Sequence, residues 1–336
     1  MGSVVVENYD SSFLYLSFFN LRKTPFSLMP DPRLFFPSRR HLQILDILKF
    51  SLLQGSLISV IVGEPGVGKT QALLTLLERL PLDSYHKVEI LNPALNSEEF
   101  LKSIFWSMET SPHARGDISH HVMLSRASSE GSQGVSPIGV LERKTLDDMV
   151  EGEIPRPNDI AFKDLGLTKD LVLKSLREKL MELKTKQAKL LLIIDEAQLL
   201  PDETLEELRL ITNLNEGTDP AIQILLIAQP TLRERLANPK FLPLRQRISV
   251  FEELKPLDKD EILPYIWFRI NQVSDRPEIN FHKNILRTLY KYSRGIPRLI
   301  NKVMDRALFI AYTKGERVIN KKHLKEAKAT FENLII

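Results

Sequence analysis

The sequence contains no cysteine, which excludes disulfide bonds and cysteine-ligated zinc or iron–sulfur clusters. Their absence suits a reducing cytoplasm and would suit a thermophilic source equally well. Long apolar runs are also missing: the longest near the N-terminus, residues 13–19, is too short to span a bilayer and follows no basic region. We therefore expect no signal peptide and no direct membrane span. The expected location is the cytoplasm, with peripheral docking at the inner membrane left open.

Neither positive nor negative charge is in large excess, because the chain has 46 lysines and arginines and 43 aspartates and glutamates. A net charge of +3 neither requires nor excludes a nucleic-acid partner, since a local basic face can exist within a near-neutral chain. With 336 residues and 43% hydrophobic residues, the chain can form two or three globular domains with an ample core.

The most informative motif is a phosphate-binding loop. Residues 63–70 read Gly-Glu-Pro-Gly-Val-Gly-Lys-Thr, which fits G-x-x-x-x-G-K-[ST]. An apolar run at 57–62 precedes the loop, and leucines at helical spacing follow it, so a strand and a helix flank it. Glycines let successive N–H groups surround phosphates at the positive end of the helix. Lys69 is predicted to reach the β- and γ-phosphates and Thr70 to hold Mg²⁺; the alternative is a glycine turn that closes a strand.

Polar side chains follow two further apolar runs. Asp195 and Glu196 end the run at 190–194, where ligands bind in open α/β sheets. Asp195 is the expected partner of Mg²⁺, and Glu196 is expected to orient and deprotonate the attacking water. Gln229 ends the run at 222–228 and is expected at the γ-phosphate or the water. The alternatives are acids at a solvent boundary and a simple strand-end amide.

Three arginines are candidate contacts of the nucleotide. Arg245 and Arg247 lie close together, and one of them is expected to reach the γ-phosphate of a neighbouring subunit. The alternative is a solvated pair at a helix end. Arg298, in the segment 294–298 that starts a helix, is expected to touch the nucleotide across a domain cleft, with a surface ion pair as the alternative.

The order of patterns predicts an α/β domain followed by helices. Apolar runs at 57–62, 88–91, 190–194 and 222–228 alternate with helical segments, which predicts a parallel sheet covered on both faces. Beyond residue 255 no strong strand pattern remains, and a capping box at 258–261 opens the first of four helices. The predicted domains are an N-terminal extension and connector (1–37), a nucleotide-binding core (38–252) and a helical lid (253–336).

Residues 110–157 are rich in Ser, Gly, Pro, His and mixed charge, and they show no sustained period. We predict an inserted, disordered loop there. Its His113, Asp117, His120 and His121 are either metal ligands or, as neighbours in sequence favour, solvated loop residues.

Together these residues resemble an AAA+ ATPase, and within that superfamily the ExeA/GspA group of secretion ATPases, including MshM-like proteins. The resemblance covers residue 15 to about residue 331 apart from the insertion. The segments that carry it are 18–21, 25–26, 30–32, 63–70, 195–198, 205–210, 228–230, 244–248 and 295–298. The sequence departs from this group at Asn20 and Ala228, where the group usually has glycine, and in residues 110–157, which have no known counterpart.

The resemblance implies a P-loop NTPase fold of AAA+ type with a small all-helical lid, and Mg²⁺-dependent ATP hydrolysis in a ring or filament. It places Gln229 in the first sensor position, Arg298 in the second, and Arg245 or Arg247 as the trans-acting arginine. The cofactors it implies are ATP and Mg²⁺. The full set of cofactor-binding candidates is Gly63, Glu64, Pro65, Gly66, Val67, Gly68, Lys69, Thr70, Gln71 and Arg298.

Three functions are consistent with these residues. The first is an ATP-driven motor that assembles or regulates a secretion, pilus or polysaccharide-export system through protein partners. The second is a DNA-binding transposition regulator of the TnsC or MuB kind, for which basic residues are available at Arg22, Lys23, Arg39, Arg40, Lys321, Lys322, His323, Lys325 and Lys328. The third is a nucleotide-gated switch that scarcely hydrolyses ATP, against which the presence of Glu196 argues.

Overall fold

The computed structural model describes residues 11–90, 93–110, 168–215 and 219–332. The helices among them, in chain order, are α1 Ser11–Phe18, α2 Arg39–Leu53, α3 Lys69–Arg79, α4 Ser97–Thr110, α5 Lys169–Thr185, α6 Asp202–Thr212, α7 Thr231–Leu236, α8 Leu242–Arg245, α9 Ile262–Asn271, α10 Ile285–Ser293, α11 Pro297–Thr313 and α12 Lys321–Glu332. The strands are β1 Ile58–Gly63, β2 Tyr85–Ile90, β3 Lys189–Ile194, β4 Ile222–Ala228, β5 Ile248–Leu254, β6 Asn280–Phe281 and β7 Val318–Ile319.

The predicted inserted loop lies outside the described residues, except for Thr110, which ends α4. The candidate metal ligands His113, Asp117, His120 and His121 also lie outside them.

The larger sheet has five strands in the order β2-β3-β4-β1-β5. The neighbours β2 and β3, β3 and β4, and β4 and β1 all pair in parallel, which confirms the predicted parallel sheet. Every residue of β4 is buried, and so are five of the six residues of β3. Because successive side chains of a strand point to opposite faces, burial of all of them means that both faces are covered.

The described residues cluster into two compact units. One comprises Met1–Lys49, Gly63–Leu80 and Glu252–Ile336, and the other comprises Phe50–Val62 and Pro81–Phe251. This clustering groups the phosphate loop and α3 with the C-terminal helices. The domain boundaries predicted from the sequence, at 37/38 and 252/253, stay a prediction.

In the unit that contains most of the sheet, the core consists mainly of aliphatic side chains from the strands and from the helices beside them, together with the rings of Phe100 and Phe241. Helix α5 illustrates why these segments fold as they do. Thr168 caps its N-terminus by accepting a hydrogen bond from the Leu171 N–H, and Val172, Leu176 and Leu180 are buried at four-residue intervals. Such spacing places three side chains on one helical face, which packs against the core.

In the other unit, helices α9 to α12 and the N-terminal helix α1 share one hydrophobic core. The capping box predicted at residues 258–261 is present: Asp258 and Glu261 cap each other's backbone N–H groups, and α9 follows. Two features differ from the sequence-based expectation. The N-terminal region contains α1, and the two-residue strands β6 and β7 pair in parallel beyond residue 255.

Asn20 ends the turn after α1 with φ of 54°, in the left-handed region that favours glycine. Its backbone N–H donates to the Ser17 carbonyl (3.0 Å), and its side-chain amide donates to the Arg276 carbonyl (2.7 Å). Asparagine tolerates this conformation better than most residues. The departure from glycine at this position therefore keeps the turn and adds a side-chain hydrogen bond.

Phe19, which follows α1, is fully buried and packs edge-on against Tyr15 and Phe18 at ring distances of 5.8 and 4.8 Å. Phe19→Ala should lower the free energy of unfolding by about 3–5 kcal/mol, because it leaves a cavity where the ring was. The free energy of unfolding is measured by urea unfolding, followed by the fluorescence of a probe on one of the helices α9 to α12. Leu14→Ala, on the exposed side of α1, is the control and should cost less than about 1 kcal/mol. Equal effects would mean that Phe19 is not part of this core.

Candidate functional site

The carboxyl ends of three strands finish at the same edge of the sheet. Val62 of β1 is paired with Ala228 of β4, and Ile194 of β3 is paired with Leu226 of β4. Asp195 directly follows β3, and Gln229 directly follows β4. The predicted acid and amide therefore leave the sheet from adjacent strands at its ligand-binding edge.

The phosphate loop connects β1 to α3, as the motif predicts. Gly66 and Gly68 have φ values of 85° and 106°, a backbone conformation that side chains with a Cβ rarely adopt. α3 begins at Lys69, directly after Gly68. A helix start leaves backbone N–H groups without intrahelical acceptors, so the loop ends in a group of donors suited to an anion.

Lys69 is buried to 7% exposure, and its ammonium donates to the loop carbonyls of Gly63 (2.9 Å) and Glu64 (3.3 Å). Thr70 is exposed in the first turn of α3. Gln71 is partly buried, and its amide donates to the Asp31 carbonyl, which ties α3 to the connector. Glu64 and Pro65 are exposed and Val67 is buried.

Arg298 contacts the phosphate loop. Its backbone N–H donates to the Gly66 carbonyl (3.1 Å), and a Cβ added to Gly66 would lie 2.7 Å from the Arg298 Cβ. Only glycine fits there without displacing the helix start at Pro297. The residue predicted for the second sensor position is therefore brought to the loop, and its side chain is exposed.

A pocket lies beside Val67 and Gly68 and has mainly apolar and aromatic walls. Phe35 from the connector, His41 of α2 and Tyr265 of α9 are among its lining residues. Flat aromatic and apolar walls next to a phosphate loop suit the ring of a nucleobase. No sequence signal pointed to these residues, because they are scattered along the chain.

His41 is buried to 6% exposure, and its pKa is lowered to about 4, mainly because burial disfavours the charged ring. A backbone hydrogen bond to Val67 of the phosphate loop acts in the opposite direction. The ring Nδ1 lies 2.6 Å from the Ser38 hydroxyl, and Phe35 packs edge-on at 5.8 Å. Near neutral pH His41 is therefore an uncharged residue that joins α2 to the loop.

The predicted catalytic residues Glu196 and Gln229 are hydrogen-bonded to each other. The Gln229 side-chain amide donates to Glu196 Oε2 (3.1 Å). Gln198 takes part as well: its amide also donates to Glu196 Oε2 (2.5 Å), and its carbonyl oxygen accepts the Gln229 backbone N–H (2.9 Å). Sequence reasoning did not select Gln198, although it is the last residue of the 195–198 motif.

The backbone at Asp195 and Glu196 turns sharply out of β3. The Asp195 carboxylate accepts the Glu196 backbone N–H (2.8 Å), and Glu196 has φ of 51°. A left-handed glutamate is uncommon and is often found at functional sites, where the surroundings maintain the strain. This turn starts the short 3-10 turn Ala197–Leu199.

The two candidate trans-acting arginines differ in their surroundings. Arg245, at the end of α8, is exposed. Arg247 is partly buried, and its guanidinium donates to the Asn213 side chain (2.6 Å). Arg245 is thus available to a neighbouring molecule, whereas Arg247 is held by its own chain.

The basic residues considered for DNA differ in their exposure: residues 22, 23, 39, 40, 321, 322 and 325 are exposed, and residue 328 is partly buried. His323 is buried to 1% exposure and pairs with Glu316, so it does not face solvent. Arg22 pairs with Asp275 (2.8 Å), and the Lys328 ammonium lies over the Tyr292 ring.

Within the described ranges, no group of three His, Asp or Glu side chains is placed to hold a metal ion. None of the helices in that part of the chain is long and apolar enough to cross a membrane.

A five-stranded parallel sheet whose first strand leads through a glycine loop into Lys69 at a helix start defines a P-loop nucleotide-binding protein. A model of the AAA domain family matches residues 53–236, more than half of the chain, and the chain belongs to this family. Proteins with this domain are P-loop ATPases, so nucleotide binding is the general activity of the class.

Known proteins agree with this assignment. The chain is 31% identical over 306 residues to General secretion pathway protein A of Aeromonas hydrophila, covering 91% of this chain and 46% of that protein. The chain thus spans about half the length of this relative. Among solved structures, Cdc6p of Pyrobaculum aerophilum matches with a TM-score of 0.58 at 19% identity, covering 91% of this chain and 70% of that one. The Aeropyrum pernix ORC1 protein, solved in complex with DNA, matches with a TM-score of 0.58 at 14% identity, covering 92% and 70%. At these identities the structural matches show the fold, which is the predicted AAA+ fold.

The burial of neutral His41 makes the protein less stable in acid. The pKa of a histidine in the unfolded chain is 6.5, whereas the pKa of His41 in the folded protein is about 4. Between these two pH values the unfolded state binds a proton that the folded state does not bind. The stability that His41 contributes is therefore lost as the pH falls through this window, by about 2 kcal/mol between pH 7 and pH 5. Urea unfolding at both pH values measures it.

The His41→Gln variant does not titrate in this range and should lose about 2 kcal/mol less than the parent between the two pH values. Substitution of the exposed His282 by glutamine is the matched control and should follow the parent chain. A His41→Gln variant with the parent's pH dependence would show that His41 is not held neutral.

Proposed function

We propose that this protein is a Mg²⁺-dependent ATPase that works as an oligomer and drives the assembly or regulation of a secretion, pilus or polysaccharide-export system. The observation that carries the enzymatic part is the phosphate loop, in which left-handed Gly66 and Gly68 lead directly into Lys69 at the start of α3. The loop presents backbone donors and an ammonium group to one small region, which is the chemistry a triphosphate requires.

The loop residues fit a nucleotide. The cradle is shaped by glycine at Gly66, where a Cβ would collide with Arg298, and Lys69 already points its ammonium at oxygen acceptors of the loop. A triphosphate would replace the Gly63 and Glu64 carbonyls as the acceptor of that ammonium. The adjacent pocket of Phe35, His41 and Tyr265 would accept the adenine ring.

Oxygen ligands suited to Mg²⁺ are also available. The Thr70 hydroxyl and the Asp195 carboxylate are hard oxygen donors of the kind Mg²⁺ prefers, and the phosphates and water would supply the remaining ligands. When bound, Mg²⁺ would neutralise the charge that develops on the phosphates.

Glu196 is proposed as the group that orients the attacking water and accepts its proton. Its carboxylate is held by amide donors of Gln198 and Gln229, so its orientation is set before a water binds. Gln229 belongs to the same hydrogen-bond network and is proposed to contact the γ-phosphate or the water. An isolated acid at a solvent boundary would not need two amides to hold it.

Arg245 is proposed as the trans-acting arginine, because it is exposed, whereas Arg247 is bound to Asn213 of its own chain. A trans-acting arginine functions only when a neighbouring subunit supplies it, so this role requires a ring or filament. Arg298 is proposed as the second sensor, since its backbone already contacts Gly66.

The secretion-type role is proposed from the 31% identity, over 91% of this chain, to a protein described as a general secretion pathway protein. The matched part is about half of that relative, so the role of its remaining half is not transferred. The proposed partners are other copies of this chain and a protein of the transport system. The proposed location is the cytoplasm, with peripheral association at the inner membrane.

ATP binding and ATP turnover should be lost in two different variants. Lys69→Ala removes the ammonium and should weaken ATP binding roughly 100-fold, as loss of charge-assisted hydrogen bonds costs about 3 kcal/mol. Glu196→Gln should bind ATP normally, lose turnover and accumulate as an ATP-bound oligomer. Fluorescent ATP titration, phosphate release and light scattering measure the three quantities.

Substitution of the exposed Lys283 by alanine is the control for loss of a lysine and should change neither binding nor turnover. Near-normal ATP affinity in the Lys69 variant would exclude the loop as the binding site. Strong stimulation of the parent's turnover by duplex DNA would instead favour the transposition-type function.

The trans role of Arg245 predicts complementation between two inactive variants. Arg245→Ala should lower kcat by about 10³-fold while keeping ATP binding, because its subunits bind nucleotide but offer no arginine. Mixed with Lys69→Ala subunits, which still offer Arg245, it should regain part of its activity. Phosphate release across mixing ratios measures this, and Arg247→Ala provides the comparison and should retain more activity. No recovery at any ratio would rule out a trans-acting Arg245.

A further inference from the structure

We propose that Gln198 is a positioning residue for ATP hydrolysis, which holds the Glu196 carboxylate and Gln229 in one fixed arrangement. This inference rests on the proposed ATPase function, and it adds a residue that acts through Glu196 without being a catalytic group itself. The basis is that each end of the Gln198 side chain is bound to one of the two residues.

The backbone of Gln198 is fixed from two directions. It lies in the middle of the 3-10 turn Ala197–Leu199, in which the Leu199 N–H donates to the Glu196 carbonyl (2.8 Å). The Gln198 carbonyl accepts a hydrogen bond from Arg235 of α7 (2.7 Å). Arg235 in turn pairs with Asp202 at the start of α6 (2.5 Å). The side chain therefore starts from a backbone that cannot easily move away from Glu196.

The orientation of the Gln198 amide follows from its partners. The Gln229 backbone N–H can only donate, so the amide oxygen of Gln198 must face it (2.9 Å). The NH₂ group must then point the other way, where it donates a hydrogen bond to the Glu196 carboxylate. The amide thus offers an acceptor to one neighbour and a donor to the other, and it does so without a change of protonation.

The two amide donors share one oxygen of the carboxylate. Gln198 and Gln229 both donate to Glu196 Oε2, so the lone pairs of Oε1 remain outside this network. The carboxylate is thereby prevented from rotating, and Oε1 becomes the oxygen that would receive a proton from water. Precise placement of a general base matters because small displacements from productive geometry slow an enzyme strongly.

The left-handed backbone of Glu196 explains why such support is needed. Its φ of 51° carries strain for a residue other than glycine, and its carboxylate lies at a turn with no regular strand beyond it. The hydrogen bond from Gln198 holds the carboxylate at a position where no strand neighbour does so. It also connects the ends of β3 and β4, because Gln229 directly follows β4.

Two substitutions of similar size separate the two hydrogen bonds. Gln198→Met removes both, whereas Gln198→Glu keeps an acceptor for the Gln229 N–H and replaces the donor with a second carboxylate beside Glu196. In the full-length chain, both variants should lower kcat roughly 10- to 100-fold, with the KM for ATP changed less than about two-fold.

Two further measurements distinguish positioning from simple stabilisation. In the Glu196→Gln background, Gln198→Met should lower the residual turnover by a clearly smaller factor than it lowers that of the parent, because its contact with Glu196 no longer matters there. Gln272 is exposed and caps the C-terminus of α9. The Gln272→Glu variant is the control for added negative charge, and its kcat should equal that of the parent. Equal loss of kcat with and without Glu196 would contradict the inference.

The two proposals fail in different ways. If the parent does not hydrolyse ATP and Glu196→Gln changes nothing, both the proposed function and this inference are wrong. If the parent is active and Glu196→Gln is not, but both Gln198 variants keep kcat within about two-fold of the parent, only this inference is overturned.

Discussion

The parallel pairing of β1, β4 and β3 is the constraint on which the candidate site depends. Because Val62 lies opposite Ala228 and Ile194 lies opposite Leu226, the groups that follow these strands emerge at one edge. The strands are held there by burial of apolar side chains on both faces, since all of β4 is buried. The acid and the amide follow the ends of β3 and β4, and the phosphate loop follows β1.

Unusual backbone conformations occur where the chain leaves these strands. Gly66, Gly68 and Glu196 all have positive φ, and each is followed within three residues by a helical segment. At the loop, glycine makes such turns possible at little cost. At Glu196 the residue is not glycine, and hydrogen bonds from Gln198 and Gln229 accompany the strained turn. Local strain and a polar network thus occur at the same position of the chain.

In the unit that contains the phosphate loop, segments that are distant in sequence depend on each other. The N-terminal helix α1 and the connector pack with α9 to α12, and the Arg269 guanidinium donates to the Pro25 and Ser27 carbonyls at 2.7 and 2.9 Å. Gln71 joins the connector to α3, and His41 joins α2 to the loop. The N-terminal segment therefore packs in the same unit as the residues beside the phosphate loop.

Much of this architecture could be predicted from the sequence, because it depends on local patterns. The glycine-rich loop, the apolar strands β1, β3 and β4 and the capping box before α9 each have a signature within about ten residues. The AAA family followed from those signatures, and the roles of the individual site residues remain proposals. Other features depended on contacts between distant segments. Helix α1 is stabilised by burial of Phe19 in a core that includes C-terminal helices, and β6 pairs with a strand nearly 40 residues later. The burial of His41, the contrast between Arg245 and Arg247, and the place of Gln198 between Glu196 and Gln229 were likewise decided by the tertiary structure. The physical reason is that hydrogen-bond partners and burial are set by where the chain returns in space, which a local pattern does not contain.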